Sequence, residues 1–136
     1  MAIVDASVVI KWYAKEEYSD DANRLKRAYS EGLVDLKAPC ILPFEVINGL
    51  KYTYSLGEEE LVTISRILDD FQITYYSFSD IEEIVTFSMK YGITIYDSAY
   101  ITLGKTLGEE VYTADEKLLR KVRSLQWVKH VRDFKI

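Results

Sequence analysis

Hydrophobic and polar positions along the chain switch between the two-residue period of strands and the three-to-four-residue period of helices. Ala2 to Asp5 reads as a short strand closed by a carboxylate, and Ser7 to Lys15 as a helix with Val8, Val9, Trp12 and Tyr13 on its apolar face. Ser19 or Asp20 is placed to cap a second helix, which carries Ala22, Leu25, Ala28 and Tyr29 at helical spacing and stops at Gly32. Leu33 to Lys37 is a strand candidate. Pro43 suits the first turn of a helix in which Phe44, Ile47, Leu50 and Tyr54 recur until Gly57 ends it. Three acids, Glu58 to Glu60, favour the start of another helix with Leu61, Ile64, Leu68 and Phe71 in one stripe, so the two form a helical hairpin.

Ile73 to Tyr76 alternates as a strand, and Ser79 with Glu82 three residues on forms a capping box opening a helix that Gly92 closes. The run ITIY (93–96) leads into a helix beginning at Asp97. Glu110 to Thr113 reads as a strand, EKLLRKVR as a short helix, and Trp127 to Val131 as a last strand. This order predicts an α/β fold, an α/β/α sandwich with a mainly parallel central sheet, in one domain over residues 1–136. Ligands of such sheets sit beyond the carboxyl ends of the strands, where the topology changes direction.

An apolar share of 49% and a charged share of 29% fit a globular chain. The apolar runs are too short for a membrane span and the start does not resemble a signal peptide, so a cytoplasmic protein is expected. Cys40 is the only cysteine; it allows neither an internal disulfide nor a thiolate cluster and reads as a small buried apolar group. Seventeen basic against 22 acidic residues leave a net charge of −5, the wrong sign for a surface that grips nucleic acid. Acids gathered around divalent cations would offset that balance locally.

Four acids fall at junctions between elements: Asp5 after the first strand, Glu45 in the first turn behind Pro43, Asp97 after ITIY, and Asp115 after EVYT. Each also has an ordinary use as a helix cap, a first-turn acid or a turn residue. In a parallel sheet, all four would converge at one edge. Carboxylates brought together repel and take up protons unless a cation intervenes, which points to a hard-metal site for Mg²⁺ or Mn²⁺. Zinc is poorly served, because the single histidine, His130, sits in an apolar C-terminal run and reads as a strand residue. Acids holding hard cations suit phosphodiester hydrolysis.

The stretches IVDASVVIKW, APCILPFEVINGL, TIYDSAYITLG and VYTADEKLL, in this order and spacing, resemble the motifs of PIN-domain nucleases, particularly the small VapC toxins of prokaryotic toxin–antitoxin pairs. The resemblance covers essentially the whole chain. It implies a PIN-like fold and Asp5, Glu45, Asp97 and Asp115 as an acidic quartet around Mg²⁺ or Mn²⁺. Ser7 and Thr113 match hydroxyl positions that support a metal-bound water or a neighbouring acid. Asn48, one turn beyond Glu45, is a candidate hydrogen bonder to it, and Glu116 a candidate additional ligand. An RNA substrate, a homodimer and a VapB-type antitoxin are also implied, the antitoxin laying an apolar helical segment in a groove and obstructing the acids with its C-terminal region.

Lys11, Lys15, Arg24, Lys26, Arg27, Lys51, Arg120, Lys121 and Arg123 are candidates for a phosphate track, and Trp12, Tyr13, Tyr52 and Tyr54 for a partner surface. Two other readings of an acid at the end of a first strand fit less well. An aspartyl-phosphate phosphatase needs a second acid where this chain has Ser7, and a receiver domain needs an early acidic pair and a late lysine. A catalytically silent PIN-like protein-binding module that keeps its acids stays open.

Overall fold

The computed structural model describes residues 2–78 and 80–136. Strand β1 (Ala2–Val4) leads into α1 (Ala6–Ile10) and α2 (Ser19–Ser30), then β2 (Leu36–Pro39), α3 (Leu42–Tyr54) and α4 (Glu58–Asp70). After β3 (Thr74–Tyr76) come α5 (Ile81–Tyr91) and α6 (Ile95–Leu107), followed by β4 (Glu110–Thr113), α7 (Glu116–Lys121), β5 (Val128–His130) and a 3₁₀ turn at Val131–Asp133. The five strands form one all-parallel sheet in the order β3-β2-β1-β4-β5. Helices flank it, as an α/β/α sandwich requires. All three β1 residues are fully buried, as expected for a central parallel strand covered on both faces.

Strand order reverses between β1 and β4. From β1 the chain builds outward to β2 and β3, then returns to the other side of β1 to add β4 and β5. The crevice of this fold class therefore lies at the carboxyl ends of β1 and β4. Helix α6 packs against β1, β2 and β4. Ser98, Ala99, Tyr100, Ile101, Thr102 and Gly104 are buried along it, so apolar and small residues cover most of its circumference. A methyl group at Gly104 would lie 2.5 Å from Val111 Cγ2 and 3.0 Å from the Glu109 carbonyl oxygen, so this position sets how closely α6 approaches β4. A second apolar cluster of Ile93, Ile101, Leu118, Val122, Leu125 and Val128 ties α7 and β5 to the same helix.

Several local expectations give way to tertiary context. Helix α2 begins at Ser19 without a side-chain cap; the Ser19 hydroxyl instead accepts from the Glu16 N–H at 2.8 Å. The strand expected at Leu33–Lys37 begins three residues later, at Leu36, and runs to Pro39. Helix α6 starts two residues before the expected Asp97, because Thr94 caps it and Ile95 and Tyr96 already belong to it. The Ser79 cap falls outside the described residues; Asp80 accepts from the Glu83 N–H and caps α5. In α3 the buried stripe is Leu42, Val46 and Leu50, leaving Phe44 72% exposed. Trp12 is a core residue whose indole N–H donates to the Ala22 carbonyl at 2.9 Å, which removes it from any partner surface. Cys40 is exposed, since it follows Pro39 out of the sheet.

Candidate active site

Asp5 leaves β1 directly into α1, and its carboxylate caps that helix. Oδ1 accepts from the Ser7 N–H at 2.9 Å and from the Ser7 hydroxyl at 2.5 Å, with the Val8 N–H at 3.4 Å. The Ser7 hydroxyl also accepts from the Ala114 N–H at 2.9 Å and lies 3.2 Å from the Thr113 hydroxyl oxygen. Thr113 Oγ1 in turn accepts from the Asp115 N–H at 3.1 Å. One continuous set of hydrogen bonds thus sews the end of β1 to the end of β4 and fixes the backbone from which Asp115 projects. Asp115 caps α7 through the Leu118 N–H at 3.0 Å.

Asp97 enters from α6. Its N–H donates to the Thr94 hydroxyl at 2.9 Å, and Tyr100, three residues on and on the same helix face, donates its hydroxyl to Glu45 Oε1 at 2.7 Å. That bond connects α6 to α3, which the Pro43 turn starts two residues before Glu45. Asp5 is 6% exposed, Asp97 and Glu45 are half-buried, and Asp115 is exposed.

The electrostatics show which of these groups share a neighbourhood. Burial pushes the Asp5 carboxyl up to about 7; the Ser7 and Thr113 hydroxyls oppose the rise and the Asp97 charge adds to it. Glu45 is raised by burial, lowered by the Tyr100 hydroxyl and raised by Asp97. Asp97 is raised by burial and by Asp115, with Thr94 and the Lys121 ammonium pulling the other way. Asp97 is therefore the acid whose charge acts on Asp5 and Glu45 and is itself acted on by Asp115. Tyr100, 2% exposed, is held well above the ordinary phenol range by burial and by Glu45, Asp5 and Asp97. As the side chains stand, no three Asp, Glu, His or Cys among the described residues converge on a point that would hold one ion.

The remaining candidates are distributed unevenly. Asn48 is exposed on α3 one turn beyond Glu45. Glu116 turns away from the quartet, accepting from the Tyr18 hydroxyl at 2.9 Å and from Arg132 at 3.2 Å. His130 is a buried residue of β5, as read from the sequence, and its Nδ1 accepts from the Arg132 N–H. Of the basic residues, Lys11 pairs with Glu16, and Arg24 pairs with Asp21 while donating to the carbonyls of Arg132 and Phe134; both serve the scaffold. Tyr54 donates to Glu16, whereas Tyr52 is 70% exposed. Tyr100 and Thr94 escaped sequence reasoning. The spacing of Tyr100 from Asp97 is a usable signal, since both fall in the helix expected from Asp97 and three residues separate them.

A cleft of about 410 Å³ opens beside Asp97 and Asp115, walled by Gly92, Ile93 and Thr94 on one side and by Lys117, Leu118 and Lys121 of α7 on the other. The sequence matches the PIN domain model over residues 2–124. It is 30% identical over 130 residues to Ribonuclease VapC3 of Pyrobaculum aerophilum, an alignment that covers 90% of this chain and 95% of that protein. The fold is similar to the crystal structure of PAE2754 from Pyrobaculum aerophilum, with a TM-score of 0.65, 22% identity, and coverage of 96% and 90% of the two chains. It is also similar to a toxin–antitoxin complex from Klebsiella pneumoniae, with a TM-score of 0.70, 16% identity and full coverage of both chains. The family match spans the ends of β1 and β4 and both helices that bring Glu45 and Asp97 to them, and the chain belongs to the PIN-domain family as a VapC-type member.

Proposed function

We propose that this protein is an Mg²⁺- or Mn²⁺-dependent endoribonuclease, the toxin of a VapBC-type pair, acting through Asp5, Glu45, Asp97 and Asp115. The observation that carries the reading is the position of Asp97, whose charge acts on Asp5 and Glu45 and is acted on by Asp115, at the switch point of the sheet. The alignment with a ribonuclease along nearly the whole chain supports it.

The donor set fits a hard cation. It is made of carboxylate and hydroxyl oxygens, and the carboxylate most withdrawn from water, Asp5, has a negative neighbour in Asp97. Mg²⁺ keeps several of its waters and uses one or two carboxylates, so it suits acids that are neighbours without forming a closed cage. When bound, such ions activate water and steady the leaving oxygen of an in-line displacement at phosphorus. The chain's own residues hold the donors in place. Ser7 and Thr113 lock Asp5 against the β4 end, Tyr100 fixes the direction of Glu45, and Thr94 anchors the turn that presents Asp97. A second copy and a VapB-type antitoxin are the proposed partners, and large exposed apolar side chains such as Phe44, Tyr52 and Met89 offer surface for them.

The test is cleavage of a panel of RNAs by the purified protein with Mg²⁺, Mn²⁺ or chelator, beside its Asp5→Asn and Asp97→Asn forms. Cleavage that needs the metal and falls at least 100-fold in both variants is expected. Equal cleavage by the variants, or none by the wild type with any RNA and either metal, overturns the reading; the second outcome favours the silent binding module.

A further inference from the structure

The cleft beside Asp97 and Asp115 has a basic wall that the four acids do not explain. Lys117 and Lys121 are four residues apart on α7 and so lie on one helix face, and both line the cleft. Lys121 donates to the Gly92 carbonyl at 3.0 Å, which pins its ammonium across the cleft mouth against the α5–α6 turn. Its charge reaches Asp97, where it lowers the carboxyl. The ion pairs formed by Lys11, Arg24, Lys37, Lys105 and Arg132 account for none of the charge on Lys117 or Lys121. Arg120 and Arg123 are exposed on the same short segment, so residues 117–123 concentrate four positive charges on a chain of net charge −5.

From this juxtaposition we propose that Lys117 and Lys121 form a backbone-binding subsite for a single RNA strand, seating the phosphate next to the one cleaved. The Lys121 ammonium is held at the Gly92 carbonyl, on the cleft wall facing the acids rather than among them, so it addresses a phosphate beside the reacting one. Asp97 and Asp115 face the same cleft and repel phosphate, which keeps the strand against the lysine wall until cations cover the acids. The residues are positioning residues, and the contact is sequence-independent because it is made to phosphate. The inference rests on the ribonuclease reading for its use, and its binding step stands apart from cleavage.

The experiment is fluorescence anisotropy of a labelled single-stranded RNA in chelator, where binding is read without cleavage, across a salt series. Wild type is compared with Lys117→Gln/Lys121→Gln and with Lys105→Gln, a control at the far end of α6 from Asp97. Two phosphate contacts carry a slope of about 0.7 each in log K against log salt for a single strand. The double variant is expected to bind at least 10-fold more weakly with the slope shallower by about 1.4, and Lys105→Gln to match wild type. In metal, the same variant should raise KM with kcat held. Unchanged affinity and slope in the double variant, equal loss in Lys105→Gln, or no binding by the wild type at low salt overturns the subsite. Loss of binding in the double variant with no cleavage by any form leaves the subsite standing and removes the nuclease.

Discussion

Asp5 carries an unusual linkage between protonation and folding. Its carboxyl sits at about 7 in the folded protein against 3.8 in an unfolded chain, so between those values the native state holds a proton that the unfolded state has released. Stability from this group is complete below pH 4 and is lost as pH climbs through about 7, the reverse of a salt-bridged aspartate. At 1.36 kcal/mol per unit the swing is up to about 4 kcal/mol. In chelator, the unfolding temperature of the wild type should therefore fall between about pH 4 and pH 7. Asp5→Asn should flatten that fall without abolishing it, because Glu45 and Asp97 are raised as well. Parallel profiles for the two proteins would show that burial of Asp5 does not govern the slope. Tyr100 allows a second test at this scale. Tyr100→Phe removes the hydroxyl that lowers the Glu45 carboxyl, and is expected to cut cleavage about 10- to 100-fold and shift its acid limb to higher pH. A lower rate with the acid limb unmoved would count against the Tyr100 to Glu45 contact.

Among the elements, α6 carries the most of the site on one rigid body, since Thr94, Asp97 and Tyr100 all ride on it. Its seat depends on Gly104. Gly104→Ala would drive a methyl group into Val111 and the Glu109 carbonyl and crowd Trp127 Cδ1, a loss of about 1–3 kcal/mol by the usual cost of overpacking. Because Asp97 sits two turns earlier on the same helix, activity is expected to fall in protein that is still folded at assay temperature. Denaturant unfolding and RNA cleavage on the same preparation check this, and full activity at reduced stability would separate the helix seat from the site. The element scale is also where the sequence was most and least readable. Junction positions for Asp5 and Asp115 follow from short β-rich runs that stop abruptly, and these runs are where the structure has β1 and β4. The start of α6 is two residues earlier than the acid at Asp97 suggests, because the Thr94 hydroxyl, accepting from the Asp97 N–H, caps the helix instead. Phe44 satisfies helical periodicity as well as Val46 does, and only the side from which α1 and α4 pack on α3 decides which is buried.

For the whole molecule the sign of the net charge becomes an argument about assembly. A chain at −5 with Asp97 and Asp115 lining one cleft repels polyanions there, while Lys117 and Lys121 line the same cleft with the compensating positive charge. The proposed divalent cations should therefore bind the folded chain, in which the charge of Asp97 acts on Asp5 and Glu45, in preference to the unfolded one, in which long stretches of chain separate the acids. A ligand selective for the native state stabilises it by RT ln(1 + [L]/Kd), about 2.7 kcal/mol at one hundred times Kd. For a chain of this length that corresponds to a rise of roughly 10 °C in unfolding temperature. Mn²⁺ titrated into metal-free protein near pH 7.5 should produce that rise in the wild type. It should produce little in Asp97→Asn, which removes the charge linking the other three acids. The stabilisation should also shrink toward pH 5, since a cation must displace the proton that Asp5 then carries. An equal rise in Asp97→Asn, or one indifferent to pH, would place the ions elsewhere on the acidic surface and detach metal binding from the switch point of the sheet.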